Sequence, residues 1–188
     1  MYQKYTTEAF LVFSRYSKEA DCVFLFYTKE FGMISTVATS VRLSKSKLRP
    51  HIIMGTPLLI TIIKSKSSWR LVEVEMLYPS LNPLSPQYAS FAKILSIEKN
   101  LILGEEKNES LFDVQKQFWY FLKEDNSNLF FIGECVCVSL VLSLLGYGQF
   151  DISKFPQNPF DPYYLKGVLP EQKEIIEKIN KALKSTGL

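Results

Sequence analysis

Cysteine and histidine are scarce in this chain of 188 residues, which contains three Cys and one His. An odd, irregularly spaced set of cysteines argues against a disulfide framework and for a reducing compartment. A structural zinc site takes four Cys or His ligands, and the residues present do not supply two pairs. Cys135 and Cys137 lie in apolar sequence, and buried thiols are their ordinary interpretation. We therefore expect no metal site and no cofactor.

Targeting segments are also missing from the sequence. The first ten residues, MYQKYTTEAF, lack the charged start, the apolar run and the cleavage site of a signal peptide. No apolar run reaches the ~18–20 residues that a membrane-spanning helix needs. The longest run, at residues 136–145, predicts a buried helix. We expect a cytoplasmic protein that does not engage a membrane.

Catalytic motifs are absent as well. The chain has no Gly-rich phosphate loop, no G-x-S-x-G sequence and no Cys–His pairing. Glu73 and Glu75 alternate along one predicted strand, and paired carboxylates can act in acid–base chemistry. On an exposed strand, such a pair of carboxylates more often adds solubility. His51 lies between Pro50 and Ile52, and a structural or solvent-facing role is expected for it. The sequence therefore predicts a protein that is not an enzyme.

Sequence that favours β-strands dominates the first part of the chain. Five short segments are rich in aromatic and β-branched residues and are separated by polar turns, at residues 9–15, 22–28, 32–39, 56–64 and 69–77. Five strands with hairpin connections fit a small closed barrel. The OB-fold, a five-stranded Greek-key barrel that binds nucleic acid, is the predicted architecture. Strand count alone leaves an SH3-like barrel open.

Proline marks a change of composition at residues 78–86, YPSLNPLSP, which predicts a linker. Beyond it, apolar residues recur at helical spacing near residues 88–99, 109–123 and 128–145, and again from Pro170. The Pro- and Asn-rich stretch at 153–164 predicts irregular structure. The predicted fold class is α+β, with an OB-fold domain at residues 1–79, a linker at 80–86 and an all-α helical domain at 87–188.

Positive charge is concentrated in one window of a nearly neutral chain. Residues 31–72 contain seven cations and no acid, whereas the whole chain has a net charge of +3, so the remainder carries 3 − 7 = −4. Such asymmetry suggests a polyanionic partner. Four of the cations lie in the SVRLSKSKLRP loop, at Arg42, Lys45, Lys47 and Arg49. A phosphate backbone attracts a loop of this kind without sequence preference, although a solvated turn is the plain alternative.

The next hairpin carries the remaining cations of the window. Lys64, Lys66 and Arg70 surround Trp69, and a small barrel can place them on the side of the basic loop. Trp69 is either a platform on which an unpaired base stacks or an aromatic residue of the barrel core. The candidate nucleic-acid-binding residues are therefore Arg42, Lys45, Lys47, Arg49, Lys64, Lys66, Trp69 and Arg70.

Two stretches resemble the RecO family of bacterial recombination mediators. In the first, residues 7–50, the family's pattern of strand, polar turn, strand, T-x-E-x-G and basic loop is matched by Glu19, Asp21, Thr28, Glu30, Gly32 and the Leu-Arg-Pro at 48–50. In the second, residues 139–151, a leucine-rich helix runs into Leu-Gly-Tyr at 145–147. Many family members carry a four-Cys zinc module directly after that point. This chain has no Cys there, so zinc is not carried over.

The resemblance implies a DNA-binding protein without catalytic chemistry. RecO-like proteins bind single- and double-stranded DNA, anneal complementary strands and help to load RecA recombinase. They work with RecR and contact the acidic, Phe-ended C-terminal tail of single-strand-binding protein. The DNA contacts that the resemblance implies here are Arg42, Lys45, Lys47 and Arg49, whereas Lys64, Lys66 and Arg70 are added from charge alone.

Two other functions stay open at the level of sequence. One is a protein-interaction module, in which the helical domain docks a partner peptide and the barrel is a scaffold. The other is an RNA-binding OB module. RNA and DNA of equal sequence distinguish that module from a DNA binder, because a protein that reads the 2′-hydroxyl prefers one of them.

Overall fold

The chain begins with five β-strands, seen in a computed structural model that describes residues 3–17, 19–65, 68–124, 128–148 and 150–187. The strands are β1 (Lys4–Tyr16), β2 (Cys22–Thr28), β3 (Gly32–Ala38), β4 (Pro57–Lys64) and β5 (Trp69–Met76). Four of them lie close to their predicted positions, because alternating and β-branched residues pack well on a pleated, half-buried surface. β1 begins at Lys4, five residues before its predicted start at residue 9.

The five strands close into a barrel in the order β1-β2-β3-β5-β4. β1 pairs antiparallel with β4 through its first half and with β2 through its second half, and a register shift between Leu11 and Phe13 lets it bend between them. β3 pairs parallel with β5, with Thr36 opposite Trp69. This is the OB-fold topology, so the predicted fold is confirmed. The SH3-like barrel that strand count alone left open is excluded.

Alternating side chains fill the barrel. Along β4, Leu58, Ile60 and Ile62 are fully buried, since every second residue of a strand points to the same face. The alternation along β5 is interrupted because its pairing with β4 shifts register between Thr61 and Ile62, so that Val72 is an extra residue on β5. The shift keeps Trp69, Leu71 and Val74 in the core.

The barrel belongs to a compact unit that spans Met1–Glu109. This unit includes α1 (Pro86–Leu101), whose N-cap Ser85 accepts a hydrogen bond from the Tyr88 backbone amide. The ring of Phe91 on α1 lies 5.2 Å from that of Phe10 on β1. The unit therefore extends past Pro79, and the sequence-based limits at 79 and 86 stay a prediction.

After α1, residues 104–109, the acidic segment, run along the barrel. The Tyr27 hydroxyl donates to the Asn108 carbonyl oxygen at 3.0 Å, and Lys107 pairs with Glu30 at 3.2 Å. Gly32 has a φ of +66°, and a Cβ atom there would lie 2.7 Å from the Glu106 carbonyl carbon. The turn before β3 and the acidic segment can approach this closely only because Gly32 has no side chain.

The second compact unit spans Ser110–Leu188 and is helical in its described residues. Most of α2 (Glu109–Lys123) lies in it, followed by α3 (Phe130–Leu144), α4 (Pro162–Val168) and α5 (Gln172–Thr186). α3 is buried along most of its length, as its apolar sequence predicts. No described helix is both long enough and apolar enough to cross a lipid bilayer.

The prediction of irregular structure over residues 153–164 is wrong at its end, where α4 begins. The side chain of Asp161 accepts hydrogen bonds from the Tyr163 and Tyr164 backbone amides, and Pro162 takes the first helical position. An acidic N-cap followed by Pro is a helix start signal. The density of Pro and Asn in this stretch concealed that signal.

Glu98 on α1 is fully buried, and burial raises its pKa well above the usual range. The folded unit therefore holds a proton that the unfolded chain releases, and stability is lost as the pH rises through the interval between the two pKa values. We expect Glu98→Gln to lessen that decline, which has a limiting slope of about 1.4 kcal/mol per pH unit. Urea unfolding from pH 4 to pH 9 measures this decline in the free energy of unfolding. The control Glu75→Gln removes an exposed carboxylate of β5 and should keep the wild-type pH profile; a Glu98→Gln profile parallel to the wild type would contradict the prediction.

Candidate nucleic-acid interface

The basic loop connects β3 to β4 and is fastened to the turn between β1 and β2. Ser40 adopts a left-handed backbone conformation, with a φ of 56°, and its amide donates to the Asp21 carboxylate at 2.9 Å. The Arg42 amide donates to the Ala20 carbonyl oxygen at 3.2 Å. A short 3₁₀ turn at Arg49–His51 then leads toward β4. Asp21, one of the turn residues of the family pattern, thus has a structural task in anchoring the loop.

The four cations of this loop are exposed to solvent. Arg42, Lys45, Lys47 and Arg49 all lie on the surface, and within the described residues none of them forms an ion pair with a carboxylate. No carboxylate among the described residues pairs with them, so their charge is available to a ligand. An uncompensated cluster of this kind attracts phosphates and releases their counterions on binding.

The two arginines of the loop are held in place by contacts that do not neutralise them. Arg42 donates from Nη1 to the Glu19 carbonyl oxygen at 2.8 Å, and its guanidinium lies 4.4 Å from the centroid of the Tyr16 ring. Arg49 donates from Nη1 to the Arg42 carbonyl oxygen at 3.5 Å. Each guanidinium has further N–H groups, so both can still fork onto a phosphate.

A pocket of about 430 Å³ opens beside these arginines at one end of the barrel. Arg42 and Arg49 stand at it together with Tyr16, whose side chain is 75% exposed. Its other lining residues are Ser14, Cys22, Phe24, Val41 and Ile52. No carboxylate is among them. The site is thus a concave surface in which apolar side chains lie beside two hydroxyl groups and two cations.

The neighbouring hairpin differs from its predicted role. The carboxylate of Glu105 in the acidic segment accepts a hydrogen bond from Lys64 Nζ and another from Trp69 Nε1, each at 2.8 Å. The Lys64 hydrogen bond is the main reason that the pKa of Glu105 is lowered. Residues 31–72 contain no acid in the sequence. The fold nevertheless brings the carboxylate of Glu105, from a later part of the chain, against Lys64 and Trp69.

Trp69 lies in the barrel core, the second of the two roles that the sequence allows. Its side chain is 3% exposed, and its ring packs at 5.8 Å from Tyr5 and 5.1 Å from Phe31. A ring covered in this way offers no face to an unpaired base. Arg70 is exposed and donates to the Thr39 hydroxyl at 3.4 Å, which places it beside the start of the basic loop. Lys66 lies outside the described residues.

Three exposed residues near the end of β1 are not among the candidates that the sequence suggests. Tyr16 ends β1 just before the polar turn, and Phe13, 41% exposed, has Lys99 Nζ 3.9 Å above its ring. Arg15 is exposed on the same strand. The available signal was an aromatic and a cation alternating at the end of a strand, FSRY, where the barrel core no longer demands apolar residues.

The residues that the sequence suggests for catalysis or metal binding form no metal centre in the described part of the chain. Glu73 and Glu75 are exposed on β5, and His51 lies in the 3₁₀ turn of the loop. All three cysteines are buried as thiols, and burial is the main cause that raises the pKa of Cys22. Over the described ranges, no three His, Cys, Asp or Glu side chains gather as a metal ion would require.

Comparison with known proteins relates the barrel to one protein family. Residues 1–79 match the family described as "Recombination protein O N terminal". The match spans all five strands and the basic loop, and it confirms the resemblance that the sequence carries over this part of the chain. No curated protein matches the chain.

Proposed function

We propose that this chain is a DNA-binding recombination mediator without catalytic chemistry, because residues 1–79 match the N-terminal domain of the RecO family and that match supports a role in DNA recombination and repair. It binds single- and double-stranded DNA, anneals complementary strands and assists the loading of RecA recombinase. The observation that carries the proposal is the set of four exposed loop cations at the open end of an OB barrel, none of which pairs with a carboxylate in the part of the chain that the structure describes.

Annealing fits this surface because it requires charge and no bond chemistry. Two complementary strands repel each other through their phosphates. Loop cations that bind phosphates lower this repulsion and leave the base edges free to pair. Arg70 beside the loop extends the same positive surface.

Affinity measured across salt concentrations tests the proposal. Four phosphate contacts give a log–log slope of roughly −3, at about 0.7–0.9 per contact. Fluorescence anisotropy with single-stranded and duplex oligonucleotides measures the slope, and a strand-annealing assay measures the activity. A slope near zero, or no annealing where DNA is bound, would contradict the proposal. Competition with RNA of equal sequence tests the RNA-binding alternative.

Lys64 contributes to DNA binding only if its partner releases it. We expect Glu105→Gln to raise the affinity about five-fold at 0.1 M salt, because the amide can still accept from Trp69 while Lys64 becomes available for a phosphate. The matched control Glu106→Gln removes the same charge from the next, exposed residue. Equal affinities of the two variants would show that Lys64 takes no part.

From the family we also propose two protein partners, which are RecR and the C-terminal tail of single-strand-binding protein.

In the helical unit, a pocket of about 250 Å³ is lined by Phe150, Phe155 and Tyr164, side chains that a terminal Phe can pack against. Three carboxylates and two lysines also line it, so charge does not favour an acidic tail there. A peptide with acidic residues and a terminal Phe, tested by pull-down, decides the matter. Peptide binding without DNA binding would favour the interaction-module alternative.

A further inference from the structure

The pocket beside the basic loop is a space that the barrel core leaves unfilled. Ser14 and Tyr16 lie opposite Phe24 and Cys22 in the β1–β2 register, so all four point to the inner face of the sheet. Phe24 and Cys22 are in the core, whereas Ser14 and Tyr16 are exposed. The inner face of the barrel is thus open at this end, with an apolar floor and a volume of about 430 Å³. Pockets of roughly 300–1,000 Å³ hold small ligands.

Tyr16 is an unusual residue to leave in solvent. Its side chain is 75% exposed, although it is a large aromatic at the end of a strand. Its ring contacts the Arg42 guanidinium, whose centre lies 4.4 Å from the ring centroid. An aromatic ring next to cations is the arrangement with which proteins hold unpaired bases, because every base has a face that stacks.

We infer that this pocket takes one unstacked nucleobase of a single strand, with Tyr16 as its stacking platform and with Arg42 and Arg49 on the adjoining phosphates. The inference rests on the proposed DNA binding and predicts that the protein binds single strands in preference to duplex DNA. A paired base reaches such a pocket only after it leaves the duplex stack, and that step costs free energy. The loop cations bind either form, and the pocket favours the single strand.

Chemistry at the pocket fits a base better than a charged small molecule. The pocket has an apolar floor, formed by Cys22, Phe24, Val41 and Ile52. The charged residues that line it are Arg42 and Arg49. An isolated phosphate would gain nothing from the floor. A nucleotide within a strand matches both parts, since its base is flat and largely apolar on its faces while its backbone is anionic.

Replacing Tyr16 tests the inference in the intact chain. We expect Tyr16→Ala to weaken binding of a single-stranded oligonucleotide about ten-fold, which is within the range for loss of one base–aromatic stack. Affinity for a blunt duplex and the slope against salt should stay unchanged, because the cations remain. Tyr16→Phe keeps the ring and should bind as the wild type does. Tyr163→Ala, at an 88% exposed tyrosine of the helical unit, is the matched control.

An oligonucleotide without bases separates stacking from charge. A strand of abasic sites should bind the wild type and Tyr16→Ala equally, because no base is present for the ring to hold. Thermal unfolding checks that the variants fold, and Tyr16→Leu, which keeps apolar bulk, should bind the single strand as weakly as Tyr16→Ala. An equal loss for single strand, duplex and abasic strand would overturn the base pocket, and so would no loss at all. Either result leaves the proposed function standing. Failure of the wild type to bind any DNA would overturn the proposed function itself.

Discussion

Replacing Arg42, Lys45, Lys47 and Arg49 together with Ala is expected to lower DNA affinity by about three orders of magnitude at 0.1 M salt. Each cation that contacts a phosphate contributes about 0.7–0.9 to the log–log salt slope, and four of them contribute roughly 3. The quadruple variant should therefore also show a much flatter salt dependence. Anisotropy titrations from 0.05 to 0.5 M salt measure both quantities on the same samples.

Stability of the quadruple variant should change little, because the four side chains are exposed and lack carboxylate partners among the described residues. The matched control replaces four exposed lysines of the helical unit with Ala, namely Lys166, Lys173, Lys181 and Lys184. It changes the net charge by the same amount and should keep most of the affinity. If the control loses as much as the loop variant, net charge governs binding and the loop assignment is wrong.

Replacing Gly32 with Ala is expected to destabilise the barrel unit by about 3 kcal/mol. Part of this cost, about 1–2 kcal/mol, is the left-handed backbone conformation, since Gly32 has a φ of +66°. The rest comes from the new Cβ atom, which would overlap the Glu106 carbonyl oxygen. That neighbour is backbone, which cannot rotate away as a side chain can. The thermal midpoint of this unit should fall by about 12–24 °C.

Gly104 supplies the control for this prediction because it lies in the same acidic segment. It has a φ of +86°, and an added Cβ would meet no atom within 4 Å. Gly104→Ala should therefore show the conformational cost alone, a fall of about 4–8 °C for roughly 1 kcal/mol. The difference between the two variants measures the close approach of the acidic segment to the β3 turn. Equal falls would mean that the segment yields at no cost.

Strand positions and the barrel were predictable because the signals for them are local. Alternation along β4 and aromatic runs along β1 and β2 follow directly from the need to bury one face of a strand. The exposure of the loop cations was predictable for the same reason, since a polar loop of Lys, Arg and Ser has nothing to bury. The start of α4 at Asp161-Pro162 was also encoded locally and was hidden by the irregular composition around it.

Contacts between distant residues were not predictable in this way. The core position of Trp69 could not be separated from an exposed one by its own sequence neighbours. The indole N–H of the buried ring is satisfied by Glu105, which is 36 residues away in the sequence. The pocket at Tyr16 likewise exists only because the loop that carries Arg42 folds back against the turn between β1 and β2. Charge and spacing identified the loop, but not the cavity beside it.

The acidic segment also affects how the protein is made. Its bonds to the barrel join residues that are far apart in sequence, with a separation of 41 for Lys64 and Glu105 and of 81 for Tyr27 and Asn108. A ribosome that adds about 5–20 residues per second reaches residue 109 a few seconds after it completes β5. During that interval the indole of Trp69 lacks the carboxylate that it bonds in the finished unit. We expect the nascent barrel to be most prone to misassembly, and most dependent on chaperones, in those seconds.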